Sequence, residues 1–278
     1  MFPVREAISR KEQYVVLEAN LLARFIYLSQ SSQMRLCIEP EITWFTTDIT
    51  YPHYIFNIVL RANFAAPETV HAYIDQLTQE AQGRRASLFW AVGPATQPAD
   101  LGHHLLKRHF RLALRAMAMR LDLTNLNESG PARSDFKVVR VETLPQLKEF
   151  IAIQAHNSQL PTGVAAAWFN LEADIGLGDN LPWQRYLGYW RGEAVATAST
   201  VVGAGVVGLY QVATLPQARG FGLGTAISLA AMQDARRRGQ RQAILHSTPM
   251  ALSVYRRLGF EPVTNLDIYL WPGVKTTA

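Results

Sequence analysis

The chain has 278 residues, of which 49% are hydrophobic and 18% are charged. This balance supports a sizeable core and excludes intrinsic disorder. A single cysteine, Cys37, excludes an intrachain disulfide, a cysteine zinc cluster and a CxxC redox centre. The net charge is +5, yet residues 219–257 alone hold seven arginines and one acidic residue, a local charge of +6. That cluster predicts an anionic ligand near this segment rather than a polybasic surface.

Two segments bear on secretion and membranes. Residues 1–12 alternate charges and lack an apolar h-region, so we expect no signal peptide. Residues 194–218 carry no formal charge, but Gly203, Gly205 and Gly208 interrupt them. Their β-branched residues around central glycines predict a buried hairpin instead of a membrane span. We therefore expect a cytoplasmic protein that does not engage a membrane.

The first half contains fewer clear elements than the second. A helix is predicted over 69–82, a strand between Gly83 and Pro94, a helix ending near Phe110, and a strand over 116–121. The polar, Gly/Pro-marked connector 125–134 follows. We place a domain boundary there, which gives domains 1–127 and 128–278.

The second half alternates regularly. Strands are predicted over 136–141, 186–191, 195–202, 206–214, 243–247 and 266–271, and helices over 144–155, 225–238 and 249–258, with a loop and short helix within 161–180. This order predicts an α/β fold around a mixed sheet. Both halves end with a helix, a glycine, a strand, a proline, a helix and a strand, so we interpret them as two copies of one fold.

The strongest chemical signal is the turn Arg219-x-x-Gly222-x-Gly224, between the strand 206–214 and the following helix. Glycines let an anion approach the backbone, and a helix N-terminus adds unpaired N–H groups and a positive dipole end. The turn lacks the Lys-Ser/Thr of a Walker loop and the full GxGxxG dinucleotide fingerprint. The glycines alone fit a pyrophosphate site and an ordinary strand–helix turn equally well.

A second motif, Tyr255-x-x-x-Gly259-Phe260, ends the next helix. Together the two motifs resemble the GNAT superfamily of acyl-CoA-dependent N-acyltransferases, over 136 to about 271. The resemblance implies two GNAT-like domains, each a twisted mixed sheet flanked by helices, with acetyl-CoA as cosubstrate and no metal. It implies cofactor contacts at Val212, Ala213, Thr214, Arg219, Gly220, Phe221, Gly222, Leu223, Gly224, Thr225 and Ser247.

The resemblance also assigns catalytic roles in part. It implies that Tyr255 protonates the departing thiolate while a primary amine, from a small molecule or a protein N-terminus, attacks the thioester directly. Many family members place a glutamate on the strand before the loop, but 199–215 hold no acid. His246 is our candidate base, since histidine titrates near neutrality. The alternatives are Glu172, Asp174 and Asp179 in the segment expected to be irregular, His156 at a helix end, or proton loss through water.

The first copy lacks the residues that such chemistry needs. Where the loop would stand, residues 61–68 hold no glycine and place Glu68 at the helix start, where a carboxylate suits the dipole but repels a diphosphate. Leu105 stands near the place of Tyr255 and cannot donate a proton. We therefore predict a degenerate first domain and one functional cofactor site, in the second half.

Two other classes of function remain to be weighed. A non-catalytic acyl-CoA-binding or regulatory module is favoured by the missing strand glutamate and opposed by Tyr255. Nucleic-acid binding through Arg236, Arg237, Arg238 and Arg241 has less support, because they flank a helix C-terminus and no aromatic platform is interleaved. We expect no nucleic-acid partner, and the sequence leaves a monomer and a homodimer open.

Overall fold

A computed structural model describes residues 10–129 and 134–273. Residues 1–9, most of the stretch for which we expect no signal peptide, and residues 130–133 of the connector lie outside these ranges. The helices are α1 (Arg10–Leu28), α2 (Pro67–Gly83), α3 (Leu101–Lys107), α4 (Leu144–Asn157), α5 (Thr162–Ile175), α6 (Leu223–Arg237) and α7 (Leu252–Arg257). Within the described ranges, no helix is long and apolar enough to cross a membrane.

The strands alternate with these helices. They are β1 (Met34–Ile38), β2 (Ile42–Thr47), β3 (Ile58–Ala62), β4 (Leu88–Val92), β5 (Arg111–Asp122), β6 (Phe136–Arg140), β7 (Trp183–Trp190), β8 (Glu193–Gly203), β9 (Val206–Thr214), β10 (Gln242–Ser247) and β11 (Glu261–Trp271). The predicted α/β fold, with helices packed on a mixed sheet, is confirmed.

All these strands belong to one sheet, in the order β1-β2-β3-β4-β11-β5-β10-β9-β8-β7-β6. The last strand of each half has crossed over. β5 pairs with β10 of the second half, and β11 pairs with β4 of the first half, while β5 and β11 pair with each other. The two copies therefore share a continuous sheet, and this exchange satisfies the two edges at which separate sheets would otherwise end. The division at 127/128 stays a prediction.

The uncharged segment 194–218 forms the expected hairpin. β8 and β9 pair antiparallel from Ala196 with Thr214 to Gly203 with Val206, and the turn takes positive φ at Ala204 and Gly205. The segment 161–180 differs from expectation, because α5 runs unbroken through fourteen residues. Its alanines and leucine are good helix formers, and Gly176, with φ 87°, ends it.

Helices cover both faces of the sheet. On one face α1, α4 and α5 share a core that includes Phe25, Phe150 and Trp168. On the other face α6 and α7 cover the second half, and α2 and α3 cover the first. Helix α1 belongs to the first half by sequence, but Asn20 hydrogen-bonds to carbonyls of the β8–β9 hairpin. The N-terminal helix thus lies over the second half's strands.

Candidate functional site

A cleft opens where two parallel neighbours in the sheet, β9 and β10, separate. Their paired residues end at Leu209 and Leu245, so the rest of β9 has no β10 neighbour. A β-bulge adds to the separation, because the register with β8 shifts between Thr197 and Ser199 and Gln211 takes φ 50°. The edge of Val212, Ala213 and Thr214 consequently faces the cleft instead of another strand.

Side chains hold the bulge at Gln211 in place. Its carbonyl oxygen accepts hydrogen bonds from Gln154 Nε2 at 2.6 Å and Thr197 Oγ1 at 2.9 Å. Its side-chain Oε1 accepts from Ser199 Oγ at 2.7 Å, and its Nε2 donates to Glu172 Oε1 at 2.8 Å. Four side chains from β8, α4 and α5 therefore fix the strand at the point where it leaves its neighbour.

Glu172, an alternative base in a segment expected to be irregular, lies instead on a regular helix. It lies on α5 with 0% exposure, because α5 is a regular helix that packs this face of the residue against the sheet. Arg185 Nε donates to Oε2 at 2.6 Å and Trp168 Nε1 donates to Oε1 at 2.8 Å. With both oxygens occupied inside the core, Glu172 is a structural anion that supports the bulge.

The other candidate bases lie in different settings. Asp174 accepts a hydrogen bond from Ser31 Oγ at 2.8 Å. Asp179 pairs with Arg140 and Arg238, at the end of α6 opposite its glycine-rich start. His156 lies in the last turn of α4.

The glycine-rich turn presents backbone N–H groups at the start of α6. Gly220 and Gly222 take φ 82° and 78°, with open space beside each Cα, a conformation that other residues adopt only with strain. No described residue accepts a hydrogen bond from the backbone N–H groups of Gly220, Gly222, Leu223, Gly224 and Thr225. Unpaired N–H groups at a helix N-terminus are chemically suited to an anion.

Two side chains form the rim of this turn. Arg219 Nε donates to the Thr214 carbonyl at 3.0 Å, and its Nη2 donates to Asn157 Oδ1 at 2.6 Å. Its guanidinium thereby links the end of β9 to the end of α4. Phe221 is 49% exposed and its ring lies 4.8 Å from that of Trp190.

The predicted catalytic residues lie on β10 and α7. Tyr255 is buried against Phe260, and burial raises the pKa of its phenol well above the ordinary value. His246 Nδ1 is enclosed and has no hydrogen-bond partner among the described residues. Burial, and then the charge of Arg24, lowers the pKa of His246 to about 4. The imidazole is therefore neutral at neutral pH.

Neighbouring residues on β10 point to opposite faces of the sheet. His246 stacks on Tyr210 of β9, with ring centroids 6.5 Å apart, on the face covered by α1. Ser247 is buried, and its Oγ donates to the Thr248 carbonyl at 2.8 Å. The roles of Ser247, Tyr255 and His246 stay predictions; Ser247 and His246 lie at the end of β10, beyond its last pair with β9.

Sequence reasoning missed Gln211 and Arg24. Gln211 is the one amide in β9, a strand that is otherwise apolar apart from Tyr210 and its terminal threonine. Arg24 is a charged residue on the buried side of α1, beside Leu21, Phe25 and Leu28. A polar residue inside an apolar stripe was the available signal in both cases. Among the described residues, no three His, Cys, Asp or Glu side chains are grouped to hold a metal.

Comparison with known proteins identifies the segment that carries this cleft. Residues 182–262, from β7 into β11, match the model of the acetyltransferase (GNAT) domain family. Over these residues the chain is similar to the GNAT acetyltransferase domain. The matched residues begin at β7 and include the bulge, the glycine-rich turn, β10 and Tyr255.

A curated relative also matches part of the chain. A mycothiol acetyltransferase of Saccharomonospora viridis is 34% identical over 100 residues, 35% of this chain and 32% of that protein. The chain thus matches about a third of the length of this curated relative.

Solved structures match nearly the whole chain. A GCN5-related N-acetyltransferase from Kribbella flavida has a TM-score of 0.67 at 18% identity, over 93% of this chain and 97% of that one. A tandem GNAT protein from the clavulanic acid biosynthesis pathway has a TM-score of 0.62 at 13% identity, over 95% of each chain. At these identities the likeness shows the fold alone.

Proposed function

We propose that the protein is an N-acyltransferase that moves an acyl group, in the first instance acetyl, from acyl-CoA to a primary amine. One observation carries the proposal: the N–H groups of Gly220 and of residues 222–225 donate to no described residue, and they follow a strand, β9, whose pairing with β10 has already ended. A diphosphate and an extended amide chain require those two features side by side. Acetyl-CoA, when bound, supplies the acyl group as an activated thioester.

The donor set fits the phosphates of coenzyme A. Backbone N–H groups at the N-terminus of α6 supply hydrogen bonds and the positive end of the helix dipole. The local charge of +6 over 219–257 adds long-range attraction. In this proposal, the edge of β9 at Val212, Ala213 and Thr214 offers backbone groups to the pantetheine arm, and an N–H near Ala213 stabilises the oxyanion.

Two side chains serve the proton transfers in this proposal. Tyr255 keeps its proton at neutral pH because burial raises its pKa, so it is available to protonate the thiolate leaving group. His246 is neutral, with a pKa of about 4, and has an enclosed nitrogen without a partner. It accepts the proton that the amine loses on attack. The amine attacks directly, since the one cysteine, Cys37, lies on β1 at the far edge of the sheet.

The test measures free thiol released from acetyl-CoA by the full chain, across a panel of primary amines. Amine-dependent release that Tyr255→Phe abolishes supports the proposal. If acetyl-CoA binds but no amine raises thiol release above background, the chain is instead a binding or regulatory module. We further propose a cytoplasmic location, in keeping with a single cysteine in 278 residues.

A further inference from the structure

Arg24 is a buried cation without a counter-ion. Its side chain on α1 is 2% exposed, and its Nε is enclosed without a hydrogen-bond partner. No described residue forms a hydrogen bond or ion pair with its guanidinium; its neighbours are the rings of Tyr210 at 4.9 Å and Trp183 at 5.4 Å. Keeping a guanidinium in such a place is costly unless an anion joins it.

Helix α1 is fixed so that Arg24 takes this position. One turn earlier, Asn20 donates through Nδ2 to the carbonyls of Val201, Gly203 and Val206, at 2.9–3.2 Å. Its Oδ1 accepts from the Tyr210 hydroxyl at 2.7 Å. Since residues four apart share a helix face, the contact that positions the Tyr210 ring also places Arg24 over it.

Unpartnered donors accumulate around Arg24. Five buried side-chain nitrogens in the described ranges lack a partner, and four of them belong to Arg24, Trp183, Arg185 and His246. These groups are linked: the Arg185 guanidinium lies 4.8 Å from the Trp183 ring, and His246 stacks on Tyr210. Three of the four can only donate hydrogen bonds. The cluster therefore suits a ligand that presents acceptors and negative charge.

This donor cluster borders the acyl-transfer cleft. Tyr210 immediately precedes the bulge at Gln211, and Ala213 follows three residues later, roughly 10 Å along an extended strand. His246, the proposed base and a member of the cluster, is the penultimate residue of β10. A group held by Arg24 is thus near the strand segment at which acyl transfer is proposed.

We infer that Arg24 binds a carboxylate of the amine acceptor, so that the acceptor is an amino acid or a similar amino carboxylate. The inference rests on the proposed acyl transfer and names its substrate class. A guanidinium matches a carboxylate in a planar, two-pronged contact. Arg185, whose guanidinium packs on the same Trp183 ring, is already paired with Glu172, so the single uncompensated positive charge of Arg24 matches a monoanion. The rings of Trp183 and Tyr210 then contact the apolar part of the acceptor.

The test compares matched ligand pairs on the full chain by titration calorimetry. Each pair differs only by the carboxylate: glycine and methylamine, phenylalanine and 2-phenylethylamine, 6-aminohexanoate and pentylamine. We expect the carboxylated member of at least one pair to bind at least tenfold more tightly. Arg24→Met removes that preference, and Arg24→Lys retains only part of it because an ammonium lacks the two-pronged geometry.

Stability separates a binding role from a packing role. Arg24→Met removes an unpaired buried charge, so we expect Tm to rise by about 2–4 °C. The matched control is Arg61→Met: Arg61 Nη2 already donates to the carbonyls of Glu39 and Pro40, and its loss leaves the ligand preference unchanged. A carboxylate preference that persists in Arg24→Met, or one that is absent from all three pairs, overturns the inference.

Thiol release then distinguishes this inference from the proposed function. If carboxylates bind in an Arg24-dependent way but no amine-dependent thiol release is seen, the carboxylate site is supported and the proposed acyl transfer is contradicted. If both members of every pair are acylated at equal rates, and Arg24→Met does not change these rates, acyl transfer is supported and the carboxylate site is contradicted.

Discussion

The two halves share the order of three strands, a helix, a strand, a helix and a strand, and they differ at the end of the third of these strands, β3 in the first half and β9 in the second. In the second half β9 separates from β10, and the turn that follows leaves N–H groups unpaired. In the first half β3 pairs with β4 only at Ile58 and Val59, but residues 62–64 then pair with Gln97: Phe64 N donates to the Gln97 carbonyl and Gln97 N to the Ala62 carbonyl. In the first half, these backbone hydrogen bonds to Gln97 close the opening that corresponds to the one between β9 and β10.

The donors of the two turns differ in the same way. In the first half, Asn63 N donates to the Glu41 carbonyl and Ala65 N to the Glu41 carboxylate. Position N2 of α2 is Glu68, whereas position N2 of α6 is Gly224. The proposed anion site of the second half therefore rests on unsatisfied backbone donors and on the absence of a carboxylate at N2, two features that the first-half turn lacks.

The largest expected effect is on chemistry at Tyr255. Tyr255→Phe removes the proton donor, and we expect kcat to fall by about 10²–10⁴-fold with acetyl-CoA binding little changed. Tyr269→Phe is the matched control, a buried tyrosine among the first-half helices, and it leaves kcat unchanged. Equal losses in both variants would show that Tyr255 acts through packing.

The next effect is on stability beneath the bulge. Glu172→Gln leaves Arg185 without its carboxylate inside the core, and we expect the free energy of unfolding to fall by about 3–5 kcal/mol in urea titrations. Asp174→Asn on the same helix, which loses only its bonds to Ser31 and Gln33, costs about 1 kcal/mol. If the two variants cost the same, Glu172 does not compensate Arg185.

Exchanging the N2 residues tests the difference between the turns. Gly224→Glu places a carboxylate where the diphosphate is expected, and acetyl-CoA should bind about 100-fold more weakly, roughly 2.7 kcal/mol. The Cβ meets only Thr214 Oγ1 at 3.4 Å, so the fold tolerates it. The reciprocal Glu68→Gly leaves binding unchanged. Titrations need the intact chain, because β11 lies between β4 and β5; tight binding by Gly224→Glu would contradict the assignment.

One histidine from each half gives a pH dependence. Burial, and then Arg24, lowers the pKa of His53 and of His246 to about 4 from 6.5. Between these values the unfolded chain binds more protons, so stability is full above about pH 6.5 and falls as pH drops toward 4. Denaturation curves at several pH values check this. Arg24→Met raises both pKa values, so we expect a smaller loss of stability as pH drops. An unchanged pH profile would exclude Arg24 as a cause.

The smallest effect concerns the closed first-half turn. Glu41→Gln weakens a single exposed hydrogen bond to Ala65 N, at a cost of about 0.5–1 kcal/mol in unfolding free energy. Acetyl-CoA binding should not change, and the stoichiometry in titrations should stay at one per chain. A second binding event in this variant would show that the first-half turn is a masked site.

By itself, the sequence determined the local features. The glycine-rich turn, the Tyr255 motif, the β8–β9 hairpin and the repeated element order all follow from spacing and propensity over short stretches, and so does the lack of glycine in 61–68. Backbone conformation and helix ends depend on neighbours in the chain, which is why these features can be predicted.

Only the tertiary structure decided which strands are neighbours and which charges are paired. β5 and β11 have similar patterns, so nothing in either segment tells whether it stays with its own half or crosses over. Glu172 and Asp174 differ by two positions on one helix, yet one is an enclosed ion-pair partner and the other accepts from Ser31. Arg24 is unpaired because α1 lies across the other half. Long-range packing, which the order of residues does not reveal, places these charges.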